Sequence, residues 1–391
     1  MLETARIETE GTLESTTTRR AGTRLLAGGA ALAVLLAGAC RGEDRPSVEV
    51  IGGGGVVSVS GAPEGEGPAQ PSGRRYAYSV EPTLDLAAPL DLRALRAVIN
   101  VAIDGRPVDW PQAVEVYAQG RNQKRADGAL RTLATLAAEP GVLAVFPNGS
   151  TVYGRTSFID GLTRDGLNGT GRAQGLSDDA RRAIVDGGVQ MLFYAKSLEN
   201  LGVARERLDA RAAGAAPPVD SAWAFVAGPL DGEDRPSGLL PAMFKIEAAF
   251  KLEQKLVQPM ELAFIDALSA AEKGDASAFA KHAAAARGHL NAYFYLSALR
   301  AAKAAEGDTT EAARQTHLAE AWVAFQTIRA TATGASPSAA PTVEASLSRP
   351  GAQAFPASET RKVYEALNDA AVLQALGVPT ALQVKTPPAG A

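Results

Sequence analysis

The fold class is decided by residues 177–211, which read SDDARRAIVDGGVQMLFYAKSLENLGVARERLDAR. Ala, Leu, Arg and Glu dominate this segment and β-branched residues are few, a composition that favours a helix. Ser177 is a residue type that caps helix N-termini, so the sequence predicts one helix from Ser177 to about Arg211. Three later segments have the same character and their own start signals: Pro241 to beyond Met260, Asp275 to about Lys303, and Thr309 or Thr310 to Arg329.

A division into two halves is predicted between Arg211 and Asp220, where the residues RAAGAAPPVD interrupt the helical pattern with Gly and a Pro pair. Residues 108–120, VDWPQAVEVYAQG, and residues 219–229, VDSAWAFVAGP, share a Val-Asp start, a short amphipathic stretch and a Gly near the end. No solenoid-type repeat period recurs along the chain. The sequence therefore predicts an all-α, two-half, duplicated helical bundle, with an N-terminal half over residues 81–212 and a C-terminal half over 213–391.

The N-terminal residues have the build of an export signal. Arg19, Arg20 and Arg24 precede an uncharged apolar run, and the small residues that follow it end at Cys40, the sole cysteine of the chain. The run is too short for a permanent membrane span, which needs roughly 20 apolar residues. We predict a lipoprotein signal peptide over residues 1–39, lipidation of Cys40 and a flexible linker over 40–80; the alternative is an ordinary signal peptide with a chance cysteine.

Composition limits the function classes. The net charge of −4 offers no basic surface for nucleic acid, and membrane association is expected through the lipid anchor only. The sequence has no phosphate-binding Gly loop, no nucleophile elbow and no Cys or His cluster, so we expect a protein that is not an enzyme, with a hydrolase as the last-ranked alternative. With only three histidines, a bound metal would depend on oxygen ligands, which favours hard ions such as ferric iron or calcium.

Two carboxylates are candidate metal ligands because of where they fall on the helix predicted after Pro241. An apolar stripe runs along that helix, formed by Met243, Ile246, Phe250, Val257, Phe264 and Leu268. Glu247 and Glu261 lie within or beside it, and a carboxylate on a core-facing stripe is costly unless it is paired or bound to a cation. The alternative is an edge carboxylate that pairs with Lys251 or Lys255.

Further candidates lie on other predicted elements. His317 and Glu320 are three residues apart on one helix face, a spacing found in bundle metal sites, although a solvated His–Glu pair is the alternative. Residues 117–131, YAQGRNQKRADGALR, gather Arg121 and Arg125 around Tyr117 into a loop that can hold an anion or be a solvated surface patch. Tyr117 and Tyr153 add phenolic oxygens as candidate ligands.

Several of these stretches together resemble one family. YAQGRNQKRADGALRTL, VYGRTSFID, LNGTG, LSDDARRAIVDGGVQMLFYAKSLENL, VDSAWAFVAG and HLAEAWVAFQTI occur in the order found in the phytotransferrin-type periplasmic iron-assimilation proteins first known from green algae. The resemblance covers residues 104–376. It implies a largely helical, extracytoplasmic ferric-binding protein with carbonate as co-anion, and it adds Asp220 to the candidate ligands. The sequence departs from the family at DGEDRPSGLLPAMF, where the family has an Asn-Gly-rich segment.

The function expected from these observations is capture of ferric iron at the bacterial cell envelope. Oxygen-rich side chains on a tethered helical scaffold suit a hard trivalent cation. An iron permease or another envelope protein is the expected partner. The alternative from another class is a helical module at the cell surface that binds a peptide or protein and no metal.

Overall fold

The computed structural model describes residues 75–229, 236–348, 351 and 353–385. The predicted signal peptide, Cys40 and the linker up to residue 74 lie outside the described residues. No helix in the described part of the chain is long and apolar enough to cross a membrane.

The all-α prediction is confirmed. Across the described ranges the chain forms helices and no β-strand, with an isolated bridge between Lys124 and Leu130. The α-helices are α1 Thr83–Ile99, α2 Trp110–Gln119, α3 Leu133–Ala137, α4 Pro140–Ala144, α5 Gly149–Tyr153, α6 Phe158–Asn168, α7 Asp178–Asp209, α8 Ala216–Ala227, α9 Leu240–Ala249, α10 Val257–Glu272, α11 Ala276–Gly307, α12 Glu311–Ala335, α13 Ala339–Leu347, α14 Ala357–Leu367 and α15 Ala370–Leu376. Short 3-10 helices cover Asn100–Asp104, Gly171–Ala173 and Thr380–Leu382.

Helix α7 is the segment on which the fold class was predicted, and it lies in the middle of the bundle. The Ser177 hydroxyl accepts a hydrogen bond from the Ala180 N–H at 3.3 Å, which confirms the predicted cap. Helices α6, α8, α11 and α12 all pack against α7. Residues 191–198 are buried without interruption, so this part of the helix is surrounded on every side.

The predicted N-terminal residues of two other helices, α11 and α12, are also confirmed. The Asp275 carboxylate accepts from the Ser277 and Ala278 N–H groups at 3.1 and 2.9 Å, at the start of α11. The Thr310 hydroxyl, and not that of Thr309, accepts from the Ala313 N–H at 3.2 Å at the start of α12. Local side-chain chemistry therefore sets these helix ends.

The continuous helix predicted from Pro241 past Met260 is wrong. The chain instead forms α9 and α10, separated by a turn in which Lys251, Glu253 and Gln254 have positive φ. The N–H groups of Leu256 and Val257 at the start of α10 are bound by the Glu247 side chain, which stabilises the break. Glu247 and Glu261 consequently lie on different helices.

The two similar stretches, residues 108–120 and 219–229, form helices that end in the same way. Helices α2 and α8 end at Gly120 and Gly228, both with φ 68°. A Cβ at Gly228 would lie 2.5 Å from the Ser237 Oγ, so a side chain is excluded there by close approach as well as by φ. Each of these two helices is followed later in the chain by a helix of 32 residues, α7 or α11. This order agrees with the expected duplication.

The buried apolar side chains form one continuous core. It extends from Ala88 in α1 to Leu382 in the last 3-10 helix and includes residues on both sides of the predicted division. The domain boundary at residues 212 and 213 stays a prediction, since the same core covers both halves.

One histidine of the core is buried without a hydrogen-bond partner at one ring nitrogen. His289 on α11 is 8% exposed, and within the described residues its Nδ1 has no partner. Burial lowers the pKa of His289 to about 4, because an imidazolium ion there would lose its hydration. His289 is therefore neutral near pH 7 and packs as part of the core.

The lowered pKa of His289 predicts that the folded protein loses stability in acid. The folded-state pKa lies below the ordinary value of 6.5, so the unfolded chain binds the proton first as the pH falls. The stability contributed by neutral His289 is complete above about pH 6.5 and is lost between about pH 6.5 and 4, by about 3 kcal/mol. We expect His289→Leu to reduce this loss in urea unfolding measured at pH 7, 5.5 and 4.

The control is Leu290→Ala, which alters the adjacent buried and non-titratable residue of α11 and should lower the unfolding free energy equally at the three pH values. Equal loss of stability in the parent protein and in His289→Leu would show that His289 is not the responsible group.

Candidate functional site

The predicted metal ligands do not converge on one point. Within the described residues, no group of three or more His, Cys, Asp or Glu side chains is placed to hold a metal ion. Each predicted carboxylate or phenol lies in its own environment, and most of them have a clear structural partner.

Glu247 caps a helix. Its side chain is buried, and its Oε1 accepts from the N–H groups of Leu256 and Val257 at 2.8 and 3.3 Å. These N–H groups belong to the N-terminal end of α10, where the helix dipole favours a negative charge. Neither the expected cation nor Lys251 or Lys255 is needed to explain why this carboxylate is tolerated inside the protein.

Asp220 and Glu261 both hold the residues that lead into α1. The fully buried Asp220 carboxylate accepts from the Tyr76 hydroxyl at 2.9 Å, from both donors of Ser79 and from the Val80 N–H at 2.9 Å. Glu261 Oε1 accepts from the Tyr76 N–H at 3.1 Å. The Tyr76 ring stacks on Trp223 with centroids 5.1 Å apart. The end of the predicted linker, residues 76–80, is therefore part of the fold.

The two predicted tyrosine ligands are also engaged. The buried Tyr117 hydroxyl donates to Asp160 Oδ1 at 3.1 Å, and Arg164 Nε donates to both oxygens of Asp160 at 2.9 Å. The Tyr153 hydroxyl donates to the Gln326 carbonyl at 2.5 Å. Burial raises the pKa of both phenols, so both keep their protons at neutral pH.

The predicted anion loop is shaped by a carboxylate beneath it. Arg121 and Arg125 are exposed, as expected of a surface patch. The fully buried Asp91 accepts from the N–H groups of Arg121 and Asn122 at 2.9 Å and from the Gln123 side chain at 2.8 Å. The loop thus directs its backbone donors inward to Asp91, and its arginine side chains lie at the surface.

A group of partly buried polar residues on four helices was not predicted from the sequence. We call it the α7 polar cluster, and it consists of Arg96, Asp186, Gln190, Tyr293 and Glu320. Arg96 Nε donates to Asp186 Oδ1 at 2.6 Å and Gln190 Nε2 donates to Asp186 Oδ2 at 2.7 Å. The Tyr293 hydroxyl donates to Gln190 Oε1. Burial opposes ionisation of Asp186, but Arg96 outweighs burial and holds the pKa of Asp186 below its usual value.

Glu320 is the predicted ligand that belongs to this cluster. In the described part of the chain its carboxylate accepts no hydrogen bond, and its ion pair with Arg182 Nη2 is long, at 3.8 Å. Burial raises the pKa of Glu320 although His317, Arg182 and Arg300 act in the opposite direction. His317 is not its direct partner, because His317 Nδ1 lies 2.7 Å from Asp308 Oδ2. Glu320 therefore differs from Glu247 and Asp220, whose carboxylates accept hydrogen bonds from neighbouring N–H groups.

Electrostatic coupling connects Glu320 to the rest of the cluster. Burial raises the pKa of Tyr293, and the charges of Asp186 and Glu320 raise it further while Arg96 lowers it. Two carboxylates, a phenol and two arginines thus act on one another between α1, α7, α11 and α12. Such interacting, perturbed groups are found at functional sites more often than elsewhere, although structural ion-pair networks produce them too.

The sequence did contain a signal for this cluster. Asp186 is followed by Gly187 and Gly188 in the middle of α7, where each glycine costs about 1 kcal/mol relative to Ala. A Cβ at Gly187 would lie 2.3 Å from Val323 of α12, and one at Gly188 would lie 2.4 Å from Thr163 of α6. Glycines at this point allow close helix packing, and that packing encloses the neighbouring Asp186.

Comparison of the chain with protein-family models, with curated proteins and with solved structures found no match to any of them. The resemblance to the phytotransferrin-type proteins accordingly stays a prediction.

The contacts of Asp220 predict a structural role for that residue. Asp220→Ala would remove the acceptor of the Ser79 and Val80 N–H groups and of the Tyr76 and Ser79 hydroxyls. We expect the free energy of unfolding in urea to fall by about 2–4 kcal/mol, and trypsin to cleave after Arg75 faster than in the parent protein.

The matched control is Glu115→Ala, which removes an exposed carboxylate on α2 and should change the unfolding free energy by less than about 0.5 kcal/mol. An Asp220→Ala variant as stable and as resistant to trypsin as the control would contradict the anchoring role.

Proposed function

We propose that this chain is an extracytoplasmic, lipid-anchored protein that binds ferric iron and assists its capture or uptake. The observation that carries the proposal is the Glu320 carboxylate, whose side chain is 34% exposed and which accepts no hydrogen bond from the described residues, although its charge acts on the pKa of the buried Tyr293. A carboxylate that is accessible and accepts no hydrogen bond is free to bind a cation, and the Tyr293 hydroxyl is a second hard donor near it.

The donor set suits a trivalent, oxygen-preferring ion. Glu320 offers carboxylate oxygens, Tyr293 offers a phenolic oxygen, and His317 lies close enough to influence the pKa of Glu320. Arg182, which donates through Nε to Asp179 Oδ1 at 2.6 Å and places Nη2 3.8 Å from Glu320, is the cation that would hold carbonate as a co-anion. The proposed site is therefore the α7 polar cluster instead of the Glu247 and Glu261 pair.

Iron binding at the proposed site would release the proton of the Tyr293 phenol. Burial and the nearby carboxylates raise the pKa of Tyr293, so the free protein holds a protonated phenol. Binding a trivalent ion through this oxygen requires loss of that proton, because only the phenolate is a strong ligand. Binding should accordingly weaken as the pH is lowered.

The envelope location and the partner belong to the same proposal. The apolar run that ends at Cys40 supports export and lipidation, and a tethered iron-binding protein would deliver its cargo to a permease or another envelope protein. The alternative, a helical module that binds a peptide or protein, has weaker support. The large apolar side chains exposed among the described residues are Val80, Ile103, Leu130 and Phe244, on four separate segments.

The test is titration of the purified soluble part of the protein with ferric citrate and bicarbonate. We expect saturable binding, a visible phenolate-to-iron charge-transfer band and a higher melting temperature, since a ligand of the native state stabilises it by mass action. Glu320→Gln should weaken binding at least about tenfold, which corresponds to about 1.4 kcal/mol. Tyr293→Phe should abolish the band.

Matched controls are available in the chain. Tyr117→Phe removes another buried phenol that is bonded to an aspartate, and Glu247→Gln alters another buried glutamate. Both controls should keep the band and the affinity of the parent protein. Binding that is absent, or that is unaffected by Glu320→Gln and Tyr293→Phe, would contradict the proposed site and leave the peptide- or protein-binding module as the better explanation.

A further inference from the structure

One face of α9 is turned to solvent and carries an aromatic ring. Phe244 is 44% exposed, and Lys245, Ala248 and Ala249 are exposed with it. These residues share one side of the helix because positions i, i+1, i+4 and i+5 are neighbours on a helix surface. An apolar ring beside a lysine on an exposed helix face is the composition of helices that lie at a lipid–water interface.

The turn after α9 adds two lysines next to this face. Lys251 and Lys255 are exposed, whereas Leu252 and Leu256 are buried in the core. The backbone of Lys251 and of two of the next three residues has positive φ, a region that residues other than Gly seldom occupy. The turn thus keeps its leucines inside and its lysines outside. We call the surface formed by Phe244, Lys245, Ala248, Lys251 and Lys255 the α9 corner.

The α9 corner is positively charged although the chain as a whole has a net charge of −4. Lys245 and Lys251 form no ion pair with any residue that the structure describes. Lys255 lies 3.3 Å from Glu253, whose side chain is 81% exposed, and such a solvated pair contributes little. Three lysines and one glutamate leave an excess of positive charge, which attracts an anionic surface.

The segment that leads to the proposed lipid anchor enters the fold near the α9 corner. The Tyr76 N–H, at the start of the described chain, donates to Glu261 Oε1 at 3.1 Å. Glu261 is one turn beyond Val257, the first residue of α10, so the two are about 6 Å apart along the helix axis. Residues 41–74 connect this point to Cys40. Anchoring through Cys40 would therefore hold this end of α10 within reach of the membrane.

We propose that the α9 corner docks on the anionic phospholipid surface of the membrane that holds the lipid anchor. The lysines would lie among the lipid phosphates, and the Phe244 ring would enter the boundary between headgroups and acyl chains. A bilayer is favoured over an acidic protein because the anchor already keeps the fold beside it, so that even a small contact is effectively intramolecular. The inference rests on the anchoring included in the proposed function and does not involve iron.

The experiment is lysine footprinting of the mature chain, which begins at Cys40 and keeps every described residue. Cys40, the sole cysteine, is coupled to a maleimide lipid in vesicles of phosphatidylcholine with or without phosphatidylglycerol, and acetylation by an N-hydroxysuccinimide ester is followed by mass spectrometry. We expect phosphatidylglycerol to slow the labelling of Lys245 and Lys251 at least about threefold. High salt should remove this protection because it screens the attraction.

The same protein supplies matched controls. Lys273 and Lys281 are exposed lysines beyond the far end of α10, and their labelling should be equal on both kinds of vesicle. Combined Phe244→Ser and Lys245→Glu substitutions alter exposed side chains only, so circular dichroism should stay that of the parent protein while Lys251 loses its protection. Lys281→Glu should leave that protection intact.

The proposal would be overturned by equal labelling of Lys245 and Lys251 on the two kinds of vesicle, which would leave a protein partner as the better occupant of the corner. Equal protection of all four lysines, or protection of Lys251 that survives the Phe244→Ser and Lys245→Glu substitutions, would also overturn it. The footprinting contains no iron and supplies its own anchor. Its failure therefore leaves the ferric titration to decide the proposed function, and failure of the titration leaves the footprinting result unchanged.

Discussion

Helices α6 and α12 approach α7 closely at Gly187 and Gly188, and this approach constrains the packing around the middle of the bundle. A methyl group at either position would overlap Val323 or Thr163, so only glycine permits the packing of these helices. The approach also encloses Asp186, which immediately precedes Gly187. A carboxylate at that depth needs a partner, and Arg96 and Gln190 supply it. The α7 polar cluster is thus a consequence of the helix packing.

Features that depend on neighbouring residues were predictable from the sequence. Ser177, Asp275 and Thr310 each cap a helix through an N–H group two or three residues later, so their roles follow from local pattern. The break between α9 and α10 was missed because the apolar stripe continues across it. Periodicity cannot show that Glu247 binds the Leu256 N–H, since this contact requires the chain to leave the helix between them.

The site residues were predictable only in part, and for a similar reason. Glu320 was found through its spacing from His317, but Asp186, its partner Arg96 and Tyr293 come together across 90 or more residues. The sequence pattern suggested that Glu247 is buried, but only the fold shows that Asp91 is buried as well and which of these carboxylates accept hydrogen bonds. Asp220 is saturated by its contacts with residues 76–80, whereas Glu320 is not hydrogen-bonded in the described part of the chain. That difference moves the candidate site from Glu247 and Glu261 to the α7 polar cluster.

The measurement that tests the iron site most directly is anomalous X-ray diffraction at the iron absorption edge, from crystals grown with ferric citrate and bicarbonate. Anomalous scattering locates iron without reference to any assumption about ligands. We predict one strong peak within bonding distance of the Tyr293 hydroxyl and the Glu320 carboxylate. A peak beside Glu247 or Glu261, or no peak in crystals that contain the intact protein, would contradict the assignment of the iron site to the α7 polar cluster.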